Sequence, residues 1–331
     1  PVKKKKKKKK TKTAAAPAPA PATKQSAPAY QNRSETMMEY ASLGIIVLST
    51  LTIISLIYLN AIAEGKEKKE SVGKTKVEKV EEEIDPKDVR SSYANPKDKS
   101  DQFAASLGVG WNYKGPNGPK YWASLDPYFT ICDKGKHQSP IDITKTFRPH
   151  LTPIVFKYQP SLLNAIHTGN TVRVNYERGS YIVAGERKYD LVYFDIHLPG
   201  EHAHKGYRPD MSIQLVHQDM EGNYAIIEIP MVTGVANRWF TQLWKHVPTK
   251  AGDEKLVDTF LYNIIDILPK ERDYFTYNGS LSHPPCTENA SWYIMKKPVQ
   301  ISDDQLRQFS SVIPHSARPL QKLNKRVIKE L

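Results

Sequence analysis

Apolar and polar side chains alternate with a period of two through much of the C-terminal two thirds of this chain, and that period is the signature of β-strands. In Tyr193-Phe194-Asp195-Ile196-His197, the residues Tyr193, Asp195 and His197 share one face while Phe194 and Ile196 share the other. In Ser212-Ile213-Gln214-Leu215-Val216-His217, the residues Ser212, Gln214 and Val216 share a face. The pattern predicts central strands over 192–198 and 211–218. Side by side, they bring Asp195, His197 and Gln214 together, the layout of a three-ligand metal site with one histidine in it.

A different pattern fills residues 40–63, which are 24 residues without a charge. At 1.5 Å rise per residue, about 20 such residues cross a bilayer core. A buried core helix is the competing reading, but no neighbouring segment has the apolar surface to cover all its faces. A cleaved signal peptide has a shorter apolar run that begins nearer the N-terminus. One transmembrane helix is therefore expected. Residues 1–39 form a basic Lys/Ala/Pro-rich tail, expected to be disordered. Residues 64–108 are a mixed-charge stalk, in which the stretch from Thr75 to Glu83 reads as a short helix with Glu/Lys pairs, ended by Pro86 and Pro96. Residues 109–331 remain as one folded domain, and the chain has no internal repeat.

The formal net charge of +13 suggests an anionic partner until it is divided along the chain. Residues 1–41 hold ten lysines, one arginine and two glutamates, nine of those charges, which leaves +4 on the other 290 residues. The basicity belongs to a tail, and helix-turn-helix and zinc-finger spacings are missing, so nucleic acid is not expected as a partner. Eight consecutive lysines, from Lys3 to Lys10, favour an N-terminus in the cytosol or a mitochondrial matrix. The tail is suited to anionic lipid, at roughly 1 kcal/mol per residue close to the surface, or to an acidic partner. As a transit peptide it is short of arginine and lacks an apolar face.

Several motifs in a fixed order resemble the α-carbonic anhydrases. Trp111-Asn112-Tyr113, Gly115-Pro116-Asn117-Gly118-Pro119 and Trp122 are similar to that family's N-terminal entry. Gln138-Ser139-Pro140-Ile141-Asp142-Ile143 matches Q-S-P-I-x-I. Gly279-Ser280-Leu281-Ser282-His283-Pro284-Pro285-Cys286-Thr287-Glu288, followed by Trp292, matches G-S-L-T-x-P-P-C-x-E-x-x-x-W, and Arg318-Pro319-Leu320-Gln321 matches the closing R-P-x-Q. The resemblance covers about residues 109–329. It implies an α+β, mainly β fold with a twisted, mostly antiparallel sheet of about ten strands.

The resemblance also places the zinc ligands. The family's F-H-x-H and E-x-H-L-V-H strands put them at Asp195, His197 and Gln214, so one of three histidines is kept. Zinc lowers the pKa of bound water to about 7, which creates the nucleophile for CO2 hydration. Asp195 lowers the charge left on the metal, and the amide of Gln214 is a poor zinc ligand. The carboxylate that supports a ligand histidine in the family is Ser212 here, and such partners matter about 10–100-fold in affinity. The proton-shuttle position is Asn170, which cannot carry protons near pH 7. Glu201 matches the gatekeeping glutamate and Ser282 keeps a hydroxyl. Val216, Leu281 and Trp292 fall at apolar pocket positions, Ile226 replaces a smaller valine, and His283 sits on the pocket rim. His202 has a buried structural counterpart. Restoring Asp195→His and Gln214→His together is expected to return some zinc affinity.

In secreted and membrane-anchored members of the family, Cys132 and Cys286 correspond to a disulfide pair; from the residues alone, two buried free thiols are the alternative. A bridge implies an oxidising compartment, which is the cell exterior, a secretory lumen or the mitochondrial intermembrane space. Three functions follow. The first is a membrane-anchored carbonic-anhydrase-like pseudoenzyme that works by binding a membrane complex, a receptor or an anionic polymer, with no cofactor expected. The second is a zinc-dependent carbonate dehydratase with a site rebuilt from His197, Asp195 and His283. The third is a structural subunit of a membrane assembly, for instance a respiratory complex.

Overall fold

The computed structural model describes residues 110–313 and 315–331. The strands among them are β1 (Asp142–Ile143), β2 (Val155–Lys157), β3 (Ser161–His167), β4 (Val172–Asn175), β5 (Tyr181–Ala184), β6 (Arg187–His197), β7 (Ala203–His204), β8 (Met211–Gln218), β9 (Tyr224–Thr233), β10 (Glu254–Tyr262), β11 (Tyr274–Gly279), β12 (Ala290–Met295), β13 (Val299–Ile301) and β14 (Lys329–Glu330). Four short α-helices accompany them: α1 (Trp122–Leu125), α2 (Ile131–Lys134), α3 (Arg238–Trp244) and α4 (Asp303–Ser310). Twelve strands form one sheet, ordered β10-β3-β4-β6-β8-β9-β12-β11-β14, with β13 beside β9 and β2 joined through β5 to β6. All its pairings are antiparallel except β9 with β12 and β9 with β13. The expected mainly β, mostly antiparallel sheet is present.

The two predicted central strands are β6 and β8, and they are neighbours. Every residue of β8 is buried, as are the last seven of β6. Two hydrophobic clusters explain this. Phe194, Ile196, Ile213, Leu215, Ala225, Ile227, Val172 and Val174 enter one of them. Tyr193, Val216, Ile226, Tyr277, Leu281 and Trp292 enter the other, which contains the alternate strand positions. The alternation read from the sequence therefore separates two buried faces rather than a wet and a dry one. Asp195, His197 and Gln214 share the second face with that smaller cluster.

A third cluster of Trp111, Tyr113, Trp122, Phe129, Cys132 and Cys286 belongs to the N-terminal entry. Cys132 and Cys286 are disulfide-bonded across a separation of 154 residues. The bridge ties α2 to the loop carrying Ser282 and His283. Arg318 is buried beneath it and donates to the carbonyl of Cys132 at 2.7 Å and to Gln138 and Ser139 at 2.8 Å. These long-range bonds fix the Q-S-P-I segment against the R-P-x-Q segment and give Gln138, Ser139 and Arg318 a structural role.

The readings of residues 1–39, 40–63 and 64–108 as tail, transmembrane helix and stalk lie outside the described residues. Among the described residues, no helix is long and apolar enough to cross a membrane.

Candidate functional site

Four neighbouring strands contribute one residue each to a row across the sheet. Arg173 on β4 lies opposite Asp195 on β6. Asp195 lies opposite Gln214 on β8. Gln214 lies opposite Glu228 on β9. One step along, His197 faces Ser212. Sequence reasoning brought Asp195, His197 and Gln214 to one face, and the structure places them there. It did not bring in Arg173 or Glu228. Both carried a signal: each is a charge inside an apolar run, Val172-Arg173-Val174 and Ile227-Glu228-Ile229.

Asp195 is clamped by a two-point fork. Arg173 Nε donates to Oδ1 at 2.9 Å and Nη2 donates to Oδ2 at 2.6 Å, with both side chains buried. The guanidinium carbon lies 3.7 Å from the centroid of the Tyr193 ring. Burial pushes the Asp195 carboxyl up, but the Arg173 charge and hydrogen bonds outweigh that and hold it below the usual carboxylate range. Asp195 is thus an ionised carboxylate with both oxygens engaged.

Gln214 is occupied as well. Its amide nitrogen donates to Glu201 Oε2 at 2.8 Å and to Glu228 Oε2 at 3.4 Å. The other oxygen of Glu201 accepts the Arg318 backbone N–H at 3.2 Å. Ser282 Oγ is buried and has no hydrogen-bond partner. Position 212 is a serine, and this row receives a carboxylate from the next strand. Glu228 binds Nδ1 of His202 at 2.7 Å, and His202 Nε2 lies 2.6 Å from the Tyr277 hydroxyl. The His202 ring also packs 4.6 Å from Trp292, which agrees with the structural role read for it. Burial raises the Glu228 carboxyl and His202 more than reverses this, leaving it below its ordinary value.

His197 alone keeps a ligand's geometry. Its Nδ1 donates to the Ser316 carbonyl at 2.6 Å, and that bond leaves the lone pair on Nε2, which is buried without a partner. Ser212 Oγ, across the ladder, is likewise buried and unpartnered. His283 spends its Nδ1 on the Pro284 carbonyl at 2.9 Å and stacks on Trp111 with centroids 6.0 Å apart. Burial, with Arg173 nearby, pushes its pKa down to about 4. Asn170, the shuttle position, donates its amide to the Trp111 carbonyl at 2.9 Å and so serves as a tie to the N-terminal entry. Val216, Ile226, Leu281 and Trp292 are buried together in the smaller cluster.

Residues 117–331 match the eukaryotic-type carbonic anhydrase family, and the chain belongs to that family. It is 37% identical over 227 residues to a carbonic anhydrase of Nostoc sp., covering 67% of this chain and 86% of that protein. The solved α-carbonic anhydrase of Thermovibrio ammonificans, in complex with sulfanilamide, has a TM-score of 0.64 at 32% identity, covering 66% of this chain and 98% of that one. Dioscorin complexed with ascorbate has a TM-score of 0.61 at 26% identity, covering 67% and 97%.

Two of the three side chains at the positions implied for the family's zinc ligands are engaged in other bonds here. Asp195 gives both oxygens to Arg173, and Gln214 offers an amide whose nitrogen is held by two carboxylates. Among the described residues, no three His, Cys, Asp or Glu side chains stand close enough together to hold a metal ion. The rebuilt set of His197, Asp195 and His283 is therefore not assembled in this conformation.

Proposed function

We propose that this chain is a carbonic-anhydrase-fold module that works by binding rather than by hydrating CO2, held at a membrane by residues 40–63 as part of a protein assembly. The observation that carries this reading is the Arg173 fork on Asp195, which bonds both oxygens and balances the charge of the carboxylate at a ligand position. Gln214 bonded to Glu201 adds to it, because the amide at a second ligand position is held by a carboxylate. Loss of the nucleophile-generating metal removes the step that gives the family's reaction its rate at neutral pH. Dioscorin, solved with ascorbate, is a precedent for this fold holding a ligand of other chemistry.

The test is metal content and turnover of the purified protein. Less than a tenth of an equivalent of zinc, roughly, and CO2 hydration at the uncatalysed rate are expected. One equivalent of zinc with turnover above that rate overturns the proposal.

A carbonate dehydratase with a rebuilt site is the second reading. The buried, unpartnered Nε2 of His197 favours it, since that atom is oriented as a ligand through Ser316. The same assay separates the two.

The compartment and topology belong to the proposal. The Cys132–Cys286 bridge supports an oxidising compartment for the folded domain. The lysine tail supports an N-terminus on the opposite, cytosolic or matrix side. Protease added on the domain side is expected to cut within residues 64–101 and leave the tail protected; cleavage of the tail with protection of the domain reverses the orientation.

A further inference from the structure

We propose that the guanidinium of Arg173 has replaced the metal as the cation of this site, so that the positive charge is part of the chain and the site opposes zinc even where its histidines are put back. This deepens the non-catalytic reading of the same site and rests on it.

Position comes first. Arg173 and Asp195 are direct cross-strand partners on β4 and β6, and both point to the face that carries His197 and Gln214. The guanidinium therefore lies beside the point on which side chains from 195, 197 and 214 converge. Its surroundings are those of a fixed ion rather than a mobile surface charge. It is buried, forked onto both oxygens of Asp195, and placed over the Tyr193 ring 3.7 Å from its centroid. Arginine suits this role because its planar fork meets a carboxylate at two points and its face stacks on an aromatic ring.

The chemistry then explains why positions 173 and 195 belong together. An ionised carboxylate buried at a sheet centre needs a cation next to it. In this chain the guanidinium meets that need. With Asp195 held in this way, a divalent ion approaching His197 Nε2 meets a positive group and a carboxylate whose charge is already balanced. Changing Asp195 and Gln214 to histidine removes the carboxylate but leaves Arg173 buried among imidazoles, where its charge opposes the metal's. Those two changes, expected to return some zinc affinity, therefore return less of it while Arg173, a residue outside the family motifs, stays in place.

The experiment uses the full chain in mild detergent and compares D195H/Q214H with R173N/D195H/Q214H. Zinc chloride is titrated by calorimetry, and cobalt chloride is followed by its visible absorption. The triple variant is expected to bind one equivalent of zinc about 10- to 100-fold more tightly than the double, and to develop tetrahedral cobalt bands that the double lacks. Equal affinities in the two variants overturn the inference, as does a triple variant that is folded by circular dichroism and binds no metal. Should either variant fail to fold, a second pair decides the question. R173N alone strands the Asp195 charge and is expected to melt lower than R173N/D195N, which removes both. If R173N/D195N melts no higher than R173N, Arg173 is not the counter-ion and the inference is lost. Stoichiometric zinc in the unmodified chain overturns the proposed function and this inference together, whereas equal affinities in the double and triple variants overturn this inference alone.

Discussion

His217 shows how a single residue on β8 sets a pH limit. Its Nδ1 donates to the Ala225 carbonyl at 3.0 Å, so Nε2 is the acceptor for the Tyr158 hydroxyl at 2.8 Å. The neutral ring is satisfied at both nitrogens, and protonation turns the acceptor into a second donor. Burial pushes its pKa from 6.5 down to about 4. Because the folded value lies below the unfolded one, the stabilisation is fully present above pH 6.5 and is lost as pH falls toward 4. The slope is about 1.4 kcal/mol per pH unit. Urea unfolding between about pH 7 and pH 5 is expected to show this loss, with a slope reduced by about one proton in His217→Gln. A slope unchanged by that substitution assigns the proton elsewhere. Arg173 and Glu228 make a related point about reading sequence. Each was visible as a charge inside an apolar strand, which marks a buried ion in need of a partner. Neither partner was visible, because Asp195 is 22 residues from Arg173 and His202 is 26 from Glu228.

Elements were legible to the extent that their signals are local. The period-two pattern marked β6 and β8, and both formed with the faces assigned. The shorter elements depend on caps and contacts. Helix α4 begins with a capping box: Ser302 Oγ accepts the Gln305 N–H at 3.2 Å, and Gln305 Oε1 accepts the Ser302 N–H at 3.0 Å. Gln305 also reaches the start of α3, donating to the Asn237 carbonyl at 2.7 Å and accepting the Asn237 N–H at 2.9 Å. Ser302→Ala is expected to cost about 1 kcal/mol. Gln305→Ala is expected to cost more, because it also takes the partner from the part-buried Asn237 N–H at a second helix start. Chemical denaturation of the two variants checks the order, and equal losses refute the coupling between α3 and α4.

At the scale of the molecule, the bridge between Cys132 and Cys286 closes 154 residues of chain, with nine of the twelve sheet strands inside the loop. Chain-entropy reasoning assigns such a link on the order of 4–5 kcal/mol. Cys132→Ser with Cys286→Ser is expected to lower stability by that amount in urea, and a loss below about 1 kcal/mol shows that the unfolded chain is compact without it. The sequence by itself determined which side chains share a strand face, where charge sits along the chain, and the motif order that marks the family. These follow from backbone geometry repeated at short range, and from motifs that survive intact. It also put Asp195, His197 and Gln214 on one face. Only the tertiary structure decided what those positions became. Register across β4, β6, β8 and β9 set Arg173 against Asp195 and Glu228 against Gln214, and the turn after β6 returned Glu201 to Gln214. Register is a relation between strands distant in sequence, fixed by the packing of both buried faces at once. For that reason the individual charges could be seen along the chain, while their pairing could not.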